Sequence, residues 1–86
     1  MSYTVIIVKS AKKQIIKLPA FAIKEIFKKL IELETTPFPH GYKKLSGFEN
    51  LYRVRVGQYR IIYYVDNNIL IITVVKIGHR KDVYRL

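Results

Sequence analysis

The chain has 86 residues, a formal net charge of +10 and no cysteine. At this length we expect one domain over residues 1–86 with one modest core, and a hydrophobic fraction of 50% favours a folded chain over a disordered one. The absence of cysteine excludes a disulfide scaffold and thiolate metal sites, and it suits a reducing compartment such as the cytoplasm.

The positive charge predicts a polyanionic partner, which is nucleic acid, a membrane surface or an acidic protein. All lysines except Lys76 and Lys81 precede residue 45, whereas all the arginines follow residue 52. The apolar stretch 61–77 is interrupted by a polar turn and by Lys76, so a membrane span is not expected. The apolar run 5–8 is too short for a secretory signal. Nucleic acid and acidic proteins are therefore the favoured partners, and a membrane is not.

The N-terminal half predicts one strand and two helices. Residues 3–9 are rich in β-branched side chains, which favour a strand. Ser10 is placed to cap a short helix over residues 11–18, which Pro19 would end. A second helix is predicted over residues 20–34, because apolar residues recur there at helical spacing. Both helices are expected to cover one face of a sheet.

The C-terminal half predicts an antiparallel meander. Residues 35–50 contain prolines and glycines and are expected to form a connecting loop. Gly57-Gln58 suits a type II′ hairpin turn, and Asn67-Asn68 suits a type I′ turn. A long apolar strand is predicted over residues 69–77, ending at Gly78. The fold class is therefore α+β: an N-terminal strand, two helices and a three- to four-stranded antiparallel meander, with the helices packed on one face of the sheet.

The hairpin around Gly57 predicts a cluster of arginines on one face of the sheet. A two-residue turn places Arg55 opposite Arg60, and strand alternation puts Arg53 on the same face. Like charges opposite each other destabilise a sheet unless solvent disperses them or an anion binds between them. The face is thus either a solvated basic surface or a phosphate-binding platform, because guanidinium groups match phosphate oxygens bidentately.

The apolar set of the same strands is expected to pack under the helices. Its members are Tyr52, Val54, Ile61, Tyr63, Ile72 and Val74. The opposite face, with the arginines, is expected to be open. Tyr59 and Tyr63 then belong to the buried face, whereas Tyr64 shares its alternation with Arg60 and belongs to the open one.

Three blocks of the sequence carry a family resemblance. They are Lys43-Lys44-Leu45-Ser46-Gly47, then Leu51-Tyr52-Arg53-Val54-Arg55-Val56-Gly57-Gln58-Tyr59-Arg60-Ile61-Ile62-Tyr63, then Ile77-Gly78-His79-Arg80 followed by Val83-Tyr84. Together they resemble the RelE/ParE superfamily of small toxins from bacterial and archaeal toxin–antitoxin modules, and specifically its RelE-like branch. The resemblance covers nearly the whole chain.

The resemblance implies an endoribonuclease that cuts messenger RNA in the ribosomal A site. The catalytic positions that it implies in this chain are Arg53, Arg55, Arg60, Arg80 and Tyr84. The first two are arginines where the best-studied pattern has lysines. The implied partners are a cognate antitoxin, the ribosome and messenger RNA, with DNA bound only through a toxin–antitoxin complex. We expect the antitoxin to be acidic and partly disordered, and to cover the basic face or displace an edge element.

The residues suit cleavage by the neighbouring 2′-hydroxyl. This reaction needs a base, cations on the phosphoryl oxygens and an acid at the leaving 5′ oxygen. Two histidines and six carboxylates are scattered along the chain, so neither a metal nor another cofactor is expected. Arg60 and Arg80 are the natural clamps for transition-state charge.

The base is either Tyr84 or His79. An ordinary tyrosine titrates at about pH 10, so Tyr84 would need neighbouring guanidinium groups to favour its phenolate, and it could instead stack on a base. Histidine is better matched to neutral pH, but His79 could equally be structural. The remaining candidates for RNA binding, besides His79, are Lys43, Lys44, Lys81 and Tyr64.

Two other functions are compatible with the sequence. A ParE-like protein would poison DNA gyrase by binding and would not cleave RNA. An inactive basic RNA-binding domain would bind RNA with a steep dependence on salt and would not be toxic. Arg60, Arg80 and Tyr84 together favour the nuclease.

Overall fold

The computed structural model describes residues 2–81 and shows the predicted α+β fold. The elements in chain order are β1 (Thr4–Ile7), α1 (Lys9–Ile16), α2 (Ala20–Leu33), β2 (Lys43–Lys44), β3 (Leu51–Val56), β4 (Tyr59–Asp66) and β5 (Ile71–His79). The strands form one five-stranded sheet in the order β1-β5-β4-β3-β2. β1 runs parallel to β5, and the other neighbours are antiparallel. The antiparallel meander is therefore four-stranded, and β1 adds a parallel edge.

The β3–β4 hairpin has the predicted register. Arg55 lies opposite Arg60, and Val54 lies opposite Ile61. Gly57 has φ +60°, whereas the described non-glycine residues with positive φ do not include Gln58. A positive φ at the first central position alone is the signature of a type II′ turn, in agreement with the sequence.

The first helix begins earlier than the sequence predicts. α1 starts at Lys9, its N-cap is Val8 and no side chain caps it, so the prediction that Ser10 caps the helix is wrong. Ser10 lies inside the first turn because β1 ends at Ile7 and the chain enters the helix almost directly. The end of β5 is tied to this helix, since the side-chain oxygen Oε1 of Gln14 accepts the backbone N–H of Ile77 at 2.8 Å. The second helix matches its predicted range to within one residue.

The β4–β5 connection also differs from its prediction. Neither Asn67 nor Asn68 has a positive φ, so the turn is not type I′. Instead, Oδ1 of Asp66 accepts the backbone N–H of Asn68 at 2.9 Å, and Leu70 takes a φ of 55°. Asp side chains commonly close turns by bonding the backbone two residues on. β5 consequently begins at Ile71, and it continues through Gly78 rather than ending there.

The core lies between the helices and one face of the sheet. Its largest buried side chain is Tyr63, whose hydroxyl donates to the carbonyl oxygen of Pro37 at 2.8 Å. Burial raises the pKa of the Tyr63 phenol, and the neighbouring Tyr42 and Tyr52 raise it further. The predicted buried set is confirmed: five members are buried, and Tyr52 packs against them. Since this face is occupied by the core, the opposite face and its rims remain for a functional site.

Candidate functional site

The sheet face opposite the core carries the arginines of the hairpin. We call Arg53, Arg55 and Arg60, with the backbone between them, the arginine face. Arg55 and Arg60 are directly opposite each other, whereas Arg53 lies opposite Ile62. On its other side Arg60 lies opposite Gly78, which has no side chain. Side chains of directly paired residues stand about 4.5–5.5 Å apart at Cβ, so the pair of arginines concentrates positive charge at one place on the sheet.

Arg60 is buried rather than open to solvent. Only 6% of its surface is exposed, and Ile62 beside it on this face is fully buried. The expectation of a fully open face is therefore wrong at its centre, although Arg55 is exposed and Arg53 is half-buried. Strand alternation sets which face a residue is on, but not how deeply neighbouring side chains cover it.

The guanidinium of Arg60 is poorly satisfied. Its Nη1 donates to the carbonyl oxygen of Tyr59 at 3.3 Å, while its buried Nε has no hydrogen-bond partner in the described part of the chain. A buried cation without compensation is unfavourable, because burial removes its hydration. An anion bound at the arginine face would compensate this positive charge.

Arg80 and Lys81 lie at the end of β5, next to the hairpin turn. The backbone N–H of Arg80 donates to the carbonyl oxygen of Gln58 at 2.8 Å, so the ladder between the two strands extends one residue beyond His79. Both side chains are exposed. Arg80 thus stands at the rim of the sheet, two residues beyond Gly78 and therefore beyond the position opposite Arg60.

His79 is on the other side of the sheet. It pairs with Tyr59, and the two rings meet edge to face with centroids 5.8 Å apart. The imidazole lines a cavity of about 470 Å³ between the hairpin and α2, together with Phe21 and Val56. His79 is among the residues predicted to bind RNA, but the structure does not bring it to the arginine face.

The lysines of the loop form the outer strand of the sheet. Lys43 lies opposite Arg53 and so joins the arginine face, whereas Lys44 lies opposite Tyr52 on the other face. Both are exposed. Tyr64 is 38% exposed on the arginine side, as predicted. It lies four residues from Arg60 along the strand, which corresponds to about 13 Å. Tyr84 lies outside the described residues.

An exposed apolar groove between α1 and α2 is a feature that sequence analysis missed. It has a volume of about 360 Å³, and its lining residues are Ile7, Lys12, Ile15, Ile16, Ile23 and Phe27. Ile16 is 74% exposed and Phe27 is 43% exposed. A signal was present in the sequence, because adjacent residues such as Ile15 and Ile16 point about 100° apart on a helix and cannot both face one core.

The described residues show neither a metal-binding cluster nor a membrane-spanning helix. Within residues 2–81, no group of three or more His, Asp or Glu side chains is placed to hold a metal ion. No described helix is long and apolar enough to cross a membrane.

The sequence of the chain matches a family model for toxins. The family model described as "ParE toxin of type II toxin-antitoxin system, parDE" matches residues 5–84. The chain belongs to the RelE/ParE superfamily of toxins. The protein named RelE1 from Methanocaldococcus jannaschii is 40% identical over 91 residues, covering 99% of this chain and 98% of that protein. Toxin RelG from Mycobacterium tuberculosis is 26% identical over 86 residues, with 99% of each chain covered.

Solved structures of RelE proteins share this fold. The archaeal RelE–RelB complex from Pyrococcus horikoshii OT3 matches with a TM-score of 0.84 and 32% identity, covering 96% of this chain and 100% of that one. The isolated E. coli RelE toxin matches with a TM-score of 0.79 and 25% identity, covering 91% of this chain and 84% of that one. The matching family model carries the ParE name, but the relatives described above are RelE proteins, one of them 40% identical over nearly the whole chain. This chain is therefore a RelE-family toxin of a toxin–antitoxin module.

Proposed function

We propose that this toxin is an endoribonuclease that cleaves messenger RNA in the ribosomal A site. The observation that carries the proposal is the buried Arg60, whose Nε lacks a partner among the described residues at the centre of a face lined by two further arginines. A scissile phosphate placed there would accept hydrogen bonds from this guanidinium. Because the proposed substrate is messenger RNA on ribosomes, the protein would act in the cytoplasm.

The proposed reaction uses protein groups alone, with neither metal nor cofactor. The 2′-hydroxyl of the nucleotide gives its proton to the general base, and its oxygen attacks the adjacent phosphorus. The bond to the 5′ oxygen of the next nucleotide breaks, and that oxygen takes up a proton from water. The products are a 2′,3′-cyclic phosphate and a free 5′-hydroxyl. Arg60 and Arg80 bind the phosphoryl oxygens, on which negative charge develops, and donors placed for such charge contribute about a hundredfold or more each. Arg53 and Arg55 hold the flanking phosphates.

The general base is assigned to Tyr84 rather than to His79. His79 lies on the helix side of the sheet against Tyr59, so the sheet itself separates its ring from the arginine face. Tyr84 remains the candidate that sequence analysis named for this role. Lys43 and Lys81 extend the positive surface along the path of the RNA backbone.

Dependence on the ribosome fits the shape of the arginine face. Single-stranded RNA is usually held by bases stacked on aromatic side chains. Tyr64 is the exposed aromatic residue of this face within residues 2–81, and it lies about 13 Å from Arg60 along its strand. Tyr64 is diagonal to Arg53 but distant from Arg60, so a phosphate bound at Arg60 needs the substrate to be positioned by something else as well. The ribosome, which presents a codon in a fixed conformation, would supply that positioning.

The ends of the cleaved RNA test the chemistry. Purified protein and programmed ribosomes are incubated with a messenger RNA that carries a single 2′-deoxynucleotide at the cleavage position, beside the all-ribose RNA. The proposal expects 2′,3′-cyclic phosphate and 5′-hydroxyl ends from the ribose RNA and no cut at the deoxy position. Cleavage at the deoxy position, or 5′-phosphate ends, would overturn the proposed mechanism.

The ParE name of the matching family model favours one second candidate, an inhibitor of DNA gyrase that is not a nuclease. The two functions separate on induction of the protein in cells. A gyrase inhibitor would cause DNA breaks while messenger RNA stays intact. The nuclease would leave DNA intact and produce new messenger RNA ends within coding sequence.

An antitoxin is the proposed protein partner. The structural relatives include RelE–RelB complexes from Pyrococcus horikoshii and E. coli, and a free nuclease of this kind would stop growth. The charge of +10 favours an acidic partner, which we expect to fold on binding. The apolar groove between α1 and α2 suits an amphipathic helix of that partner, with Lys12 at its rim for a carboxylate.

A further inference from the structure

The backbone around Arg80 is held from both sides by hydrogen bonds. Its own N–H donates to the carbonyl oxygen of Gln58 at 2.8 Å. The next N–H, that of Lys81, donates to Nδ1 of the His79 side chain at 3.2 Å. The backbone of Arg80 is therefore held at its own N–H by the hairpin turn and at the next N–H by the His79 side chain.

The His79 ring has a packing partner on the neighbouring strand. It meets the Tyr59 ring edge to face at 81°, with centroids 5.8 Å apart. It also lines the cavity under the hairpin, whose wall includes Phe21 and Val56. The contact with Tyr59 and the bond from the Lys81 N–H together orient the ring with Nδ1 toward the backbone that leaves β5.

We propose that His79 is a positioning residue that holds Arg80 at the edge of the arginine face. It neither contacts RNA nor acts as the base. It closes the backbone in the manner of an Asx turn, in which a side-chain acceptor bonds the N–H two residues on. Insofar as it concerns cleavage, this role rests on the proposed function, but the ordering of Arg80 can be measured without it.

The role has a chemical requirement. Nδ1 accepts a hydrogen bond only when it carries no proton, so the ring proton of neutral His79 resides on Nε2. Loss of the acceptor frees the backbone after β5, and the Arg80 guanidinium then spends less time where the phosphate lies. Misplacement of a catalytic group by about 1 Å can cost up to about a hundredfold in rate. We expect a loss of about tenfold, smaller than that from removing Arg80.

Two substitutions distinguish the effect of the His79 ring from the effect of its hydrogen-bond acceptor. His79→Phe keeps an aromatic ring against Tyr59 and removes the acceptor. His79→Asn keeps an acceptor for the N–H two residues on and removes the ring. On the free protein, ¹⁵N relaxation and hydrogen exchange of the Arg80 and Lys81 amides report their order. We expect order to be lost in His79→Phe and retained in His79→Asn, and ¹⁵N shifts of wild-type His79 to show an unprotonated Nδ1.

Cleavage on ribosomes then tests the consequence. His79→Phe should lose about tenfold, and His79→Asn should recover most of that loss. In the Arg80→Ala background His79→Phe should cause no further loss, because the residue to be positioned is gone. Equal amide order in wild type and His79→Phe, or an undiminished His79 effect without Arg80, would overturn the proposal. If the wild-type protein does not cleave RNA, the proposed function fails, and the amide measurements alone decide the positioning role.

Discussion

Arg60 of β4 lies directly opposite Gly78 of β5, so no side chain stands beside the arginine on that strand. Any side chain at residue 78 would project onto the arginine face, because the adjacent Ile77 points into the core. Gly78→Val should therefore displace the Arg60 guanidinium and lower cleavage by about tenfold or more. Valine favours strands, so the unfolding midpoint should not fall.

The matched control for Gly78→Val is Thr73→Val, a half-buried position of the same strand opposite Tyr64. It places the same valine side chain farther along β5, away from Arg60, and should leave cleavage unchanged. Equal activities of Gly78→Val and wild type would show that Arg60 does not need a glycine opposite it.

The buried Arg60 cation should lower the free energy of unfolding, although cleavage requires it. Arg60→Met replaces the guanidinium with a shorter, flexible apolar chain, and we expect the free energy of unfolding to rise by about 1–2 kcal/mol. Cleavage should fall by about a hundredfold or more. Urea unfolding and the ribosome assay measure the two effects. Arg55→Met, at an exposed position, is the control and should change stability by less than about 0.5 kcal/mol. A less stable Arg60→Met protein would contradict this account of the buried charge.

Tyr63 should contribute to stability in a pH-dependent way. Its hydroxyl donates to the Pro37 carbonyl oxygen at 2.8 Å, so Tyr63→Phe should lower the free energy of unfolding by about 1–2 kcal/mol at pH 7. Burial raises the pKa of this phenol, so its stabilising effect is fully present below the unfolded value of about 10 and is lost as the pH rises above it.

The measurement for Tyr63 is urea unfolding of wild type and Tyr63→Phe from pH 7 to pH 11. The difference between the two proteins should shrink only above about pH 10. A difference that is constant across that range would mean that the raised pKa does not act on stability. Cleavage at neutral pH should be unaffected, since Tyr63 is on the core side of the sheet.

The apolar groove should be required for antitoxin binding and not for folding. Ile16 is 74% exposed, so Ile16→Lys should leave the fold intact and weaken binding of the cognate antitoxin by about tenfold or more. Ile69→Lys is the matched control, because Ile69 is 63% exposed but lies in the β4–β5 turn away from the groove. Titration of each protein with antitoxin by calorimetry compares them. An equal loss in both variants, or none in either, would place the antitoxin elsewhere.

Local sequence rules predict the elements that they govern directly. The II′ turn at Gly57-Gln58 fixes the register of the hairpin, and alternation then assigns each side chain to a face, so the pairing of Arg55 with Arg60 was predictable. These rules fail where contacts with other parts of the chain set the backbone conformation. The positive φ of Leu70 could not be foreseen, because asparagine rather than leucine normally adopts it.

In the candidate site, too, some features follow from local sequence and others depend on the rest of the chain. Alternation predicts the arginine face, but the burial of Arg60 depends on cover by other parts of the chain and has no signal in the strand itself. The side of the sheet on which His79 lies was not predicted, for a simpler reason. Gly78 looks like the end of a strand, whereas β5 continues through it, and the alternation then carries His79 to the helix side.

The most direct test of the central claim is primer extension on messenger RNA bound to programmed ribosomes. Purified wild-type protein is compared with Arg60→Met and Arg80→Ala, each shown to be folded, and with the same RNA without ribosomes. The account predicts cleavage at the A-site codon by wild type on ribosomes only, reduced about a hundredfold or more in both variants. Intact messenger RNA with folded wild-type protein, or undiminished cleavage by either variant, would contradict it.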